Sequence, residues 1–411
     1  MNPRRLALDA ISKILDKGGY SNIVINEYLQ KYELNPDDRA LFTKLVLGTV
    51  EKKLTLEYFL EPFLHKKQKP WVLNLLLMSI YQLVELNIPD YAVVNEAVEI
   101  ARIKNQQIAS FVNAVLRNFL RNEVRSFTGL DELDYLSIKY SYPKWLVAYF
   151  LKDYDFEITE KIFLEFAKEK HQAIRVNTLK ATKEEVIYEL QKEGIIYKDS
   201  TLVQNGLIVE ESIIDHPLFK EGKVIIQDLA SQLVSEIINP EENSIILDLC
   251  SAPGGKASHL ASIMNNTGSI HACDIHPHKL KLMEGNFKKL GVTNVTLQLI
   301  DARLIKDYVK EEAFDYILAD LPCSGLGVLG HKVDLKYHLQ YEAILDIIKL
   351  QKEILDSTYM LVKKGGYFII STCTLNKLEN ENQVKEFLAN HPFFEIVEEK
   401  TILPFEYGTD G

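Results

Sequence analysis

Through the first third of the chain, apolar residues recur three and four positions apart. The spacing predicts helices over 6–15, 22–32, 38–50, 54–63, 91–103 and 107–121, each with one apolar face. The stretch 70–86 is apolar nearly all round, which predicts a helix at the centre of the bundle. Asn35-Pro36-Asp37-Asp38 reads as a helix start, turn residues followed by acids in the first turn. The polar stretch 122–137, with Thr128-Gly129, reads as a linker, and a further helical stretch opens at Ser141 and runs to about Lys168. The apolar period then changes. Strands are expected at 173–179, 195–198, 206–210 and 224–227, around a helix at 183–192. From Leu229 onward, strands at 244–249, 269–273, 295–300, 314–319, 366–371 and 394–398 alternate with helices, notably 277–290 and 341–362. That alternation predicts a doubly wound, mostly parallel sheet. The pattern divides the chain into an all-α region (1–128), linker helices with a small α/β unit (129–235), and a Rossmann-like α/β region (236–411).

Composition narrows this picture. With 411 residues and 47% apolar residues, the chain can build several cores. No apolar run approaches a membrane span and none has the flanks of a signal peptide, so a soluble cytoplasmic protein is expected. Of the four cysteines, Cys250, Cys273, Cys323 and Cys373, none forms a C-x-x-C pair, so no zinc ribbon and no metal are expected. The net charge of −11 is uneven: the first 130 residues balance at +3 and the remainder at −14. Charge alone therefore proposes no nucleic-acid footprint; any RNA contact must come from local patches such as the basic loop 65–69. Arg175 and Asn177, alternating with apolar neighbours on a strand, are candidates for such a contact.

The chemistry gathers at predicted strand ends. The stretch 245–256, I-I-L-D-L-C-S-A-P-G-G-K, reads as a buried strand, a tight glycine turn and a helix start. That arrangement makes a nucleotide pocket in α/β sheets. It has neither the G-x-G-x-x-G nor the G-x-x-x-x-G-K-[ST] spacing of a phosphate loop. Asp248 ahead of the glycines would repel a phosphate but suits a cationic or hydroxylated ligand end, as S-adenosylmethionine has. Asp274, Asp301 and Asp320 close three further strands. Asp274 is placed to accept from ribose hydroxyls and Asp301 from an adenine amino group. Cys323 and Cys373 then face one cleft from neighbouring strand ends. Two cysteines beside an adenosyl-type pocket suit methylation of a pyrimidine carbon. Carbon 5 of cytosine is too weak a nucleophile until a thiolate adds at carbon 6, and the reaction then needs an acid near ring nitrogen 3 and a base for the carbon 5 proton.

These stretches carry a resemblance. D-L-C-S-A-P-G-G-K, D-L-P-C-S-G-L-G and S-T-C-T resemble the Sun-type RNA cytosine-5 methyltransferases, and D-R-A-L-F-T-K-L-V-L-G-T-V-E with V-N-E-A-V-E-I-A-R resembles the NusB fold. The resemblance implies a NusB-like RNA-binding front, a ferredoxin-like middle and a methyltransferase acting on cytosine in 16S ribosomal RNA, naked or partly assembled, with S-adenosylmethionine as cofactor. It implies that Cys250, Ser251, Ala252, Pro253, Gly254, Gly255 and Lys256 form the cofactor loop, with Asp274 on the ribose and Asp301 on the adenine side. It further implies that Asp320 lies between cofactor and base, that Cys373 is the nucleophile and that Cys323 helps release product. Gln227 to Ser231 resembles a stretch lining the cofactor side. Residues 329–334, L-G-H-K-V-D, lack the paired arginines and proline that follow this motif in the family. The alternatives are the same chemistry on transfer RNA, and a NusB-like scaffold with an inactive methyltransferase domain.

Overall fold

A computed structural model describes residues 2–168 and 171–411. The chain forms two compact units. One comprises residues up to Ala167 together with Leu329–Leu339; the other comprises Lys168–Val328 and Gln340–Gly411.

The first unit is helical. Its expected helices form, among them Pro3–Lys17, Pro36–Glu51, Asp90–Lys104 and Gln106–Leu120, and Pro70–Glu85 is its centre. Leu75, Leu76, Leu77 and Ile80 on that helix are fully buried, as an all-round apolar stretch requires. Asn35 accepts from the Asp38 amide and starts Pro36–Glu51, satisfying one of the orphan donors at the helix end. Gly48 on that helix lies flat against Tyr81: a Cβ there would sit 2.0 Å from the ring. The region read as a linker is partly helical, because Asp131 caps a helix over Glu132–Tyr140 that the mixed polarity of the stretch concealed. The segment Leu329–Leu339 belongs to this unit. Val333 enters its core, Asp334 accepts from the amide (3.2 Å) and hydroxyl of Ser21, and the Lys336 ammonium donates to the Glu51 carbonyl at 2.8 Å.

The second unit holds two sheets. Strands β1 (Gln172–Val176), β2 (Tyr197–Asp199), β3 (Gly206–Val209) and β4 (Val224–Ile226) form an antiparallel sheet in the order β2-β3-β1-β4. Helix Lys183–Lys192 packs with it, started by a capping box between Thr182 and Glu185. Strands β5 (Ile245–Asp248), β6 (Ser269–Asp274), β7 (Val295–Leu299), β8 (Phe314–Asp320) and β9 (Val362–Ser371) form a parallel sheet in the order β7-β6-β5-β8-β9. Alternate residues of one strand enter different cores, Ile246 one and Leu247 another, so the sheet is buried on both faces and its strands read as near-continuous apolar runs. The chain winds outward from β5 to β7, then crosses back to start β8 beside β5, which puts the topological switch point between β5 and β8. The strand expected at 394–398 is absent: 392–400 has no ladder, and Phe393 is 94% exposed. Residues 392–402 line a cleft beside the edge strand β9 without pairing to it, and periodicity alone does not say whether such a segment joins the sheet. Among the described residues no helix is long and apolar enough to cross a membrane, and no cluster of three His, Cys, Asp or Glu residues could hold a metal ion.

Candidate active site

All five parallel strands end on one side, and the polar residues of the sequence motifs collect there. After β5 the chain turns through 249–254 and enters the helix Gly255–Ile263. Gly254 takes φ 93°, in the left-handed region, and a Cβ there would lie 2.8 Å from Phe287. The Ser251 amide donates to the Cys273 carbonyl (2.8 Å) and the Gly254 amide to the Ser251 carbonyl (2.7 Å), so β6 and the turn hold the loop closed.

The Asp248 carboxyl is 1% exposed; the Ser251 hydroxyl and the Cys250 amide are its polar neighbours, but neither closes a bond of ordinary hydrogen-bond geometry to it. Burial raises the Asp248 pKa to about 7, with the neighbouring Asp320 adding to the shift and the Ser251 hydroxyl and Cys250 amide opposing it. Buried polar groups are nearly always paired, so a buried carboxyl with so few donors around it fits a ligand carrying an ammonium or sulfonium. Asp274 is buried, accepts from the His276 amide at 2.9 Å and has Lys279 3.6 Å away. Asp301 is differently placed. Both its oxygens accept from the Arg303 guanidinium (2.7–3.2 Å), whose hydrogen bonds hold its pKa below the usual carboxylate range, and it starts a short 3-10 helix. Any adenine contact by Asp301 would have to be shared with that ion pair.

At the switch point Lys256 pairs with Asp320 at 2.6 Å, and the Ser371 hydroxyl donates to Asp320 at 2.8 Å. Burial opposes the Lys256 ammonium, but the charge and hydrogen bond of Asp320 outweigh it and keep its pKa above the ordinary lysine value. The two cysteines of the P-C and T-C motifs come together: the Cys323 and Cys373 sulfurs are 3.2 Å apart, although fifty residues separate them. The hydrogen bond to Cys373, then burial, raises the Cys323 pKa well above the ordinary thiol range, so Cys323 keeps its proton. Burial likewise raises Cys273, to about 12, and raises Cys250, whose three carboxylate neighbours add to the effect. Neither of these is an activated thiol. A cleft of about 1360 Å³ runs along β9 and opens on Lys256 and Cys373; Asp274 and Asp301 lie outside its walls.

Arg175 and Asn177 are not surface residues. Arg175 is fully buried, donates to Gln227 (2.8 Å), Ser258 (3.0 Å) and the Gly255 carbonyl (3.4 Å), and its pKa is lowered by burial to about 9. Asn177 donates to the Gly222 and Leu290 carbonyls, both at 2.8 Å. The alternation was read correctly, but the side expected to face RNA packs against the helix that follows the glycine turn. Gln227, from the stretch similar to the cofactor side of the family, lies against the same helix: a Cβ on Gly255 would come within 3.3 Å of its amide nitrogen.

Two residues that sequence reasoning passed over complete the site. Glu379 is fully buried and accepts from the Ser324 amide (2.8 Å), the Ser324 hydroxyl, Gln351 (3.1 Å) and Asn376 (2.7 Å). Asn380 accepts from the Thr372 hydroxyl at 2.5 Å and donates to the Thr374 carbonyl at 2.7 Å. The only signal was a polar run, L-E-N-E-N-Q at 378–383, a few residues after the T-C motif, which reads equally well as the start of the helix Glu381–Asn390.

A doubly wound sheet with a glycine turn at its switch point and two sulfurs in contact beside it defines a methyltransferase site, and comparison with known proteins agrees. Residues 235–408 match the family described as 16S rRNA methyltransferase RsmB/F, residues 1–121 the NusB family, and residues 142–214 the ferredoxin-like domain of RsmF/B-like methyltransferases. The chain belongs to the ribosomal RNA small subunit methyltransferase B family. It is 38% identical to the probable ribosomal RNA small subunit methyltransferase B of Bacillus subtilis, over 99% of this chain and 96% of that protein. It is 32% identical to ribosomal RNA small subunit methyltransferase B of Proteus mirabilis, over 100% and 97%. Among solved structures, PH0851 is similar over 100% of this chain and 97% of its own, at 26% identity and a TM-score of 0.83. NSun6 from Pyrococcus horikoshii, solved with SFG, is similar over 66% and 96%, at 25% identity and a TM-score of 0.60.

Proposed function

We propose that this chain methylates carbon 5 of a cytosine in 16S ribosomal RNA, with S-adenosylmethionine as methyl donor and a covalent adduct to Cys373 as intermediate. The observation that carries the reading is the 3.2 Å contact between Cys323 and Cys373, beside the Lys256–Asp320 pair. Family membership and the names of the relatives support ribosomal RNA as substrate.

The loop from Cys250 to Lys256 and the buried Asp248 fit the cofactor's amino-acid end, Asp274 its ribose and Asp301 its adenine edge. When bound, the cofactor supplies an electrophilic methyl group. The protein's own groups and solvent do the rest. The Cys373 thiol gives its proton to solvent and the thiolate adds to carbon 6; the carbon 5–carbon 6 π bond breaks, and the electron pair displaced to nitrogen 3 takes up a proton that reaches it from solvent by way of Asp320, whose charge Lys256 balances. Carbon 5 thereby becomes the nucleophilic end of an enamine. After carbon 5 is methylated, a solvent base takes its proton, the ring double bond re-forms, the Cys373 thiolate leaves and nitrogen 3 returns its proton to solvent. Cys323, in contact with Cys373 and protonated at rest, supports that release. The target cytosine must leave its stack to reach the sulfurs, which favours naked or partly assembled RNA with an accessible loop, in the cytoplasm.

The test is methylation of unmodified 16S ribosomal RNA by purified variants. Cys373→Ala is expected to abolish methyl transfer while S-adenosylmethionine still binds with near-normal affinity. Cys323→Ala is expected to accumulate a protein–RNA adduct stable to denaturant. Methyl transfer at the normal rate by Cys373→Ala would overturn the nucleophile assignment. A site-resolved cytosine-methylation map of cellular RNA, with and without the gene, separates ribosomal from transfer RNA.

A further inference from the structure

The dipeptide Glu379-Asn380 touches both cysteine loops and neither sulfur. Glu379 takes the amide and hydroxyl of Ser324, the residue after Cys323. Gln351 extends the grip to the other flank of Cys323: its amide donates to Glu379 (3.1 Å) and to the Pro322 carbonyl (2.9 Å). Asn380 repeats the arrangement at Cys373, taking the Thr372 hydroxyl on one side and the Thr374 carbonyl on the other. Further bonds tie the loops to each other: the Ser324 hydroxyl to the Thr374 hydroxyl at 2.8 Å, the Leu326 amide to the Thr374 hydroxyl at 3.3 Å and the Gly327 amide to the Cys373 carbonyl at 3.1 Å. Each cysteine is therefore fixed by its neighbours on both sides, and the two fixing residues are adjacent in the chain.

This is more apparatus than two loops need in order to fold. A fully buried carboxylate served by four neutral donors is costly to bury and loses stability when any partner is removed. Its placement has a geometric consequence. Strands β8 and β9 are neighbours, so their loops lie side by side, but ladder pairing stops at Asp320↔Ser371, and beyond it the backbones are joined by the Leu321 amide to the Ser371 carbonyl (2.9 Å) and the Gly327 amide to the Cys373 carbonyl (3.1 Å). Neither bond reaches the residues that flank Cys323, so the distance between the sulfurs, three residues past the end of β8 and two past the end of β9, depends on side-chain bonds as well. Displacement of a reacting group by about 1 Å can cost on the order of a hundredfold in rate.

We propose that Glu379 and Asn380 are positioning residues that hold the two sulfurs over the same pyrimidine, Glu379 acting through Cys323 on product release and Asn380 acting through Cys373 on adduct formation. The proposal rests on the cysteine roles given under the proposed function. It predicts a division of labour that general support of the fold would not produce.

The experiment uses the full-length chain, unmodified 16S ribosomal RNA and S-adenosylmethionine, and measures the rate of formation and the lifetime of the denaturant-stable adduct. Cys323→Ala serves as the background in which adduct accumulates. In that background Glu379→Ala is expected to leave adduct formation within about twofold, and Asn380→Ala to slow it more than about tenfold. With Cys323 intact, Glu379→Ala is expected to lengthen the adduct lifetime toward that of Cys323→Ala. Glu379→Gln keeps the shape but turns one acceptor oxygen into a donor, so it should show the same pattern to a smaller degree, and it serves if the alanine variant does not fold. Calorimetric titration with S-adenosylmethionine, unchanged across the set, checks the fold. Equal slowing of adduct formation by Glu379→Ala and Asn380→Ala in the Cys323→Ala background overturns the proposal, as does an unchanged adduct lifetime in Glu379→Ala or Glu379→Gln. If Cys323→Ala itself traps no adduct, the cysteine roles fall and take the bracket with them. If it traps adduct while the Glu379 variants do not prolong it, only the bracket falls.

Discussion

At the scale of single residues, burial sets the protonation of some groups in the site and a bonded or charged partner sets that of others. Asp248 illustrates the first. Its pKa near 7 means that the folded, empty site is a mixture of carboxyl and carboxylate at neutral pH. A cationic ligand end prefers the carboxylate, so ligand binding should release a proton below that pKa. S-adenosylmethionine affinity is expected to rise with pH, by up to about tenfold per unit below pH 7, and to level off above about pH 8. Asp248→Asn should bind weakly with a flat profile, which calorimetric titration across pH 5.5–8.5 would reveal. The residues carrying this chemistry were legible in the sequence because each ends a strand beside a turn. Glu379 and Asn380 were not, because a polar residue before a helix looks the same whether it caps that helix, grips the preceding loop as Asn380 does, or grips a loop 55 residues away as Glu379 does.

At the scale of elements, the strand and helix periods gave most boundaries to within a few residues, and the helices Lys183–Lys192 and Pro277–Leu290 without any shift. The errors have a common cause. The helix Glu132–Tyr140 and the missing strand at 394–398 were decided by what each segment found to pack against, which a local period does not contain. Arg175 is the sharper case. A strand arginine ordinarily faces solvent, yet this one links β1 to the helix that follows the glycine turn, and its Nη1 has no partner among the described residues. Arg175→Ala is expected to destabilise the second unit by about 3 kcal/mol, since it leaves a cavity and strips Gln227 and Ser258 of their donor. RNA affinity at a temperature where the variant is folded should stay within about twofold. Denaturant titration and filter binding measure the two effects, and a large loss of RNA affinity with unchanged stability would restore the surface reading.

At the scale of the whole molecule, the chain supplies Leu329–Leu339 to the helical unit, nine residues past the end of the strand that closes on Asp320. The segment that lacks the family's arginines is thus a packed part of the helical unit. Its Lys336 is 2% exposed, and burial lowers its pKa to about 7. The unfolded chain then binds this proton more tightly than the folded one between pH 7 and the ordinary lysine value, so stability should rise with pH across that window. Lys336→Met is expected to flatten the rise, as measured by denaturant titration from pH 6.5 to 9.5. Asp334→Ala, which strips the Ser21 amide and hydroxyl of their acceptor, should speed hydrogen exchange at Ser21 in the full-length chain.

The sequence by itself determined the classes of element, the doubly wound sheet and the types of residue at its strand ends, because periodicity and turn chemistry are local. Only the tertiary structure decided which polar side chains are buried and what they hold. Arg175 stood as a candidate RNA contact, and nothing in the sequence singled out Lys336 or Glu379. Each is buried beside partners 28 to 285 positions away, and long-range packing of the same kind brings Cys323 to Cys373.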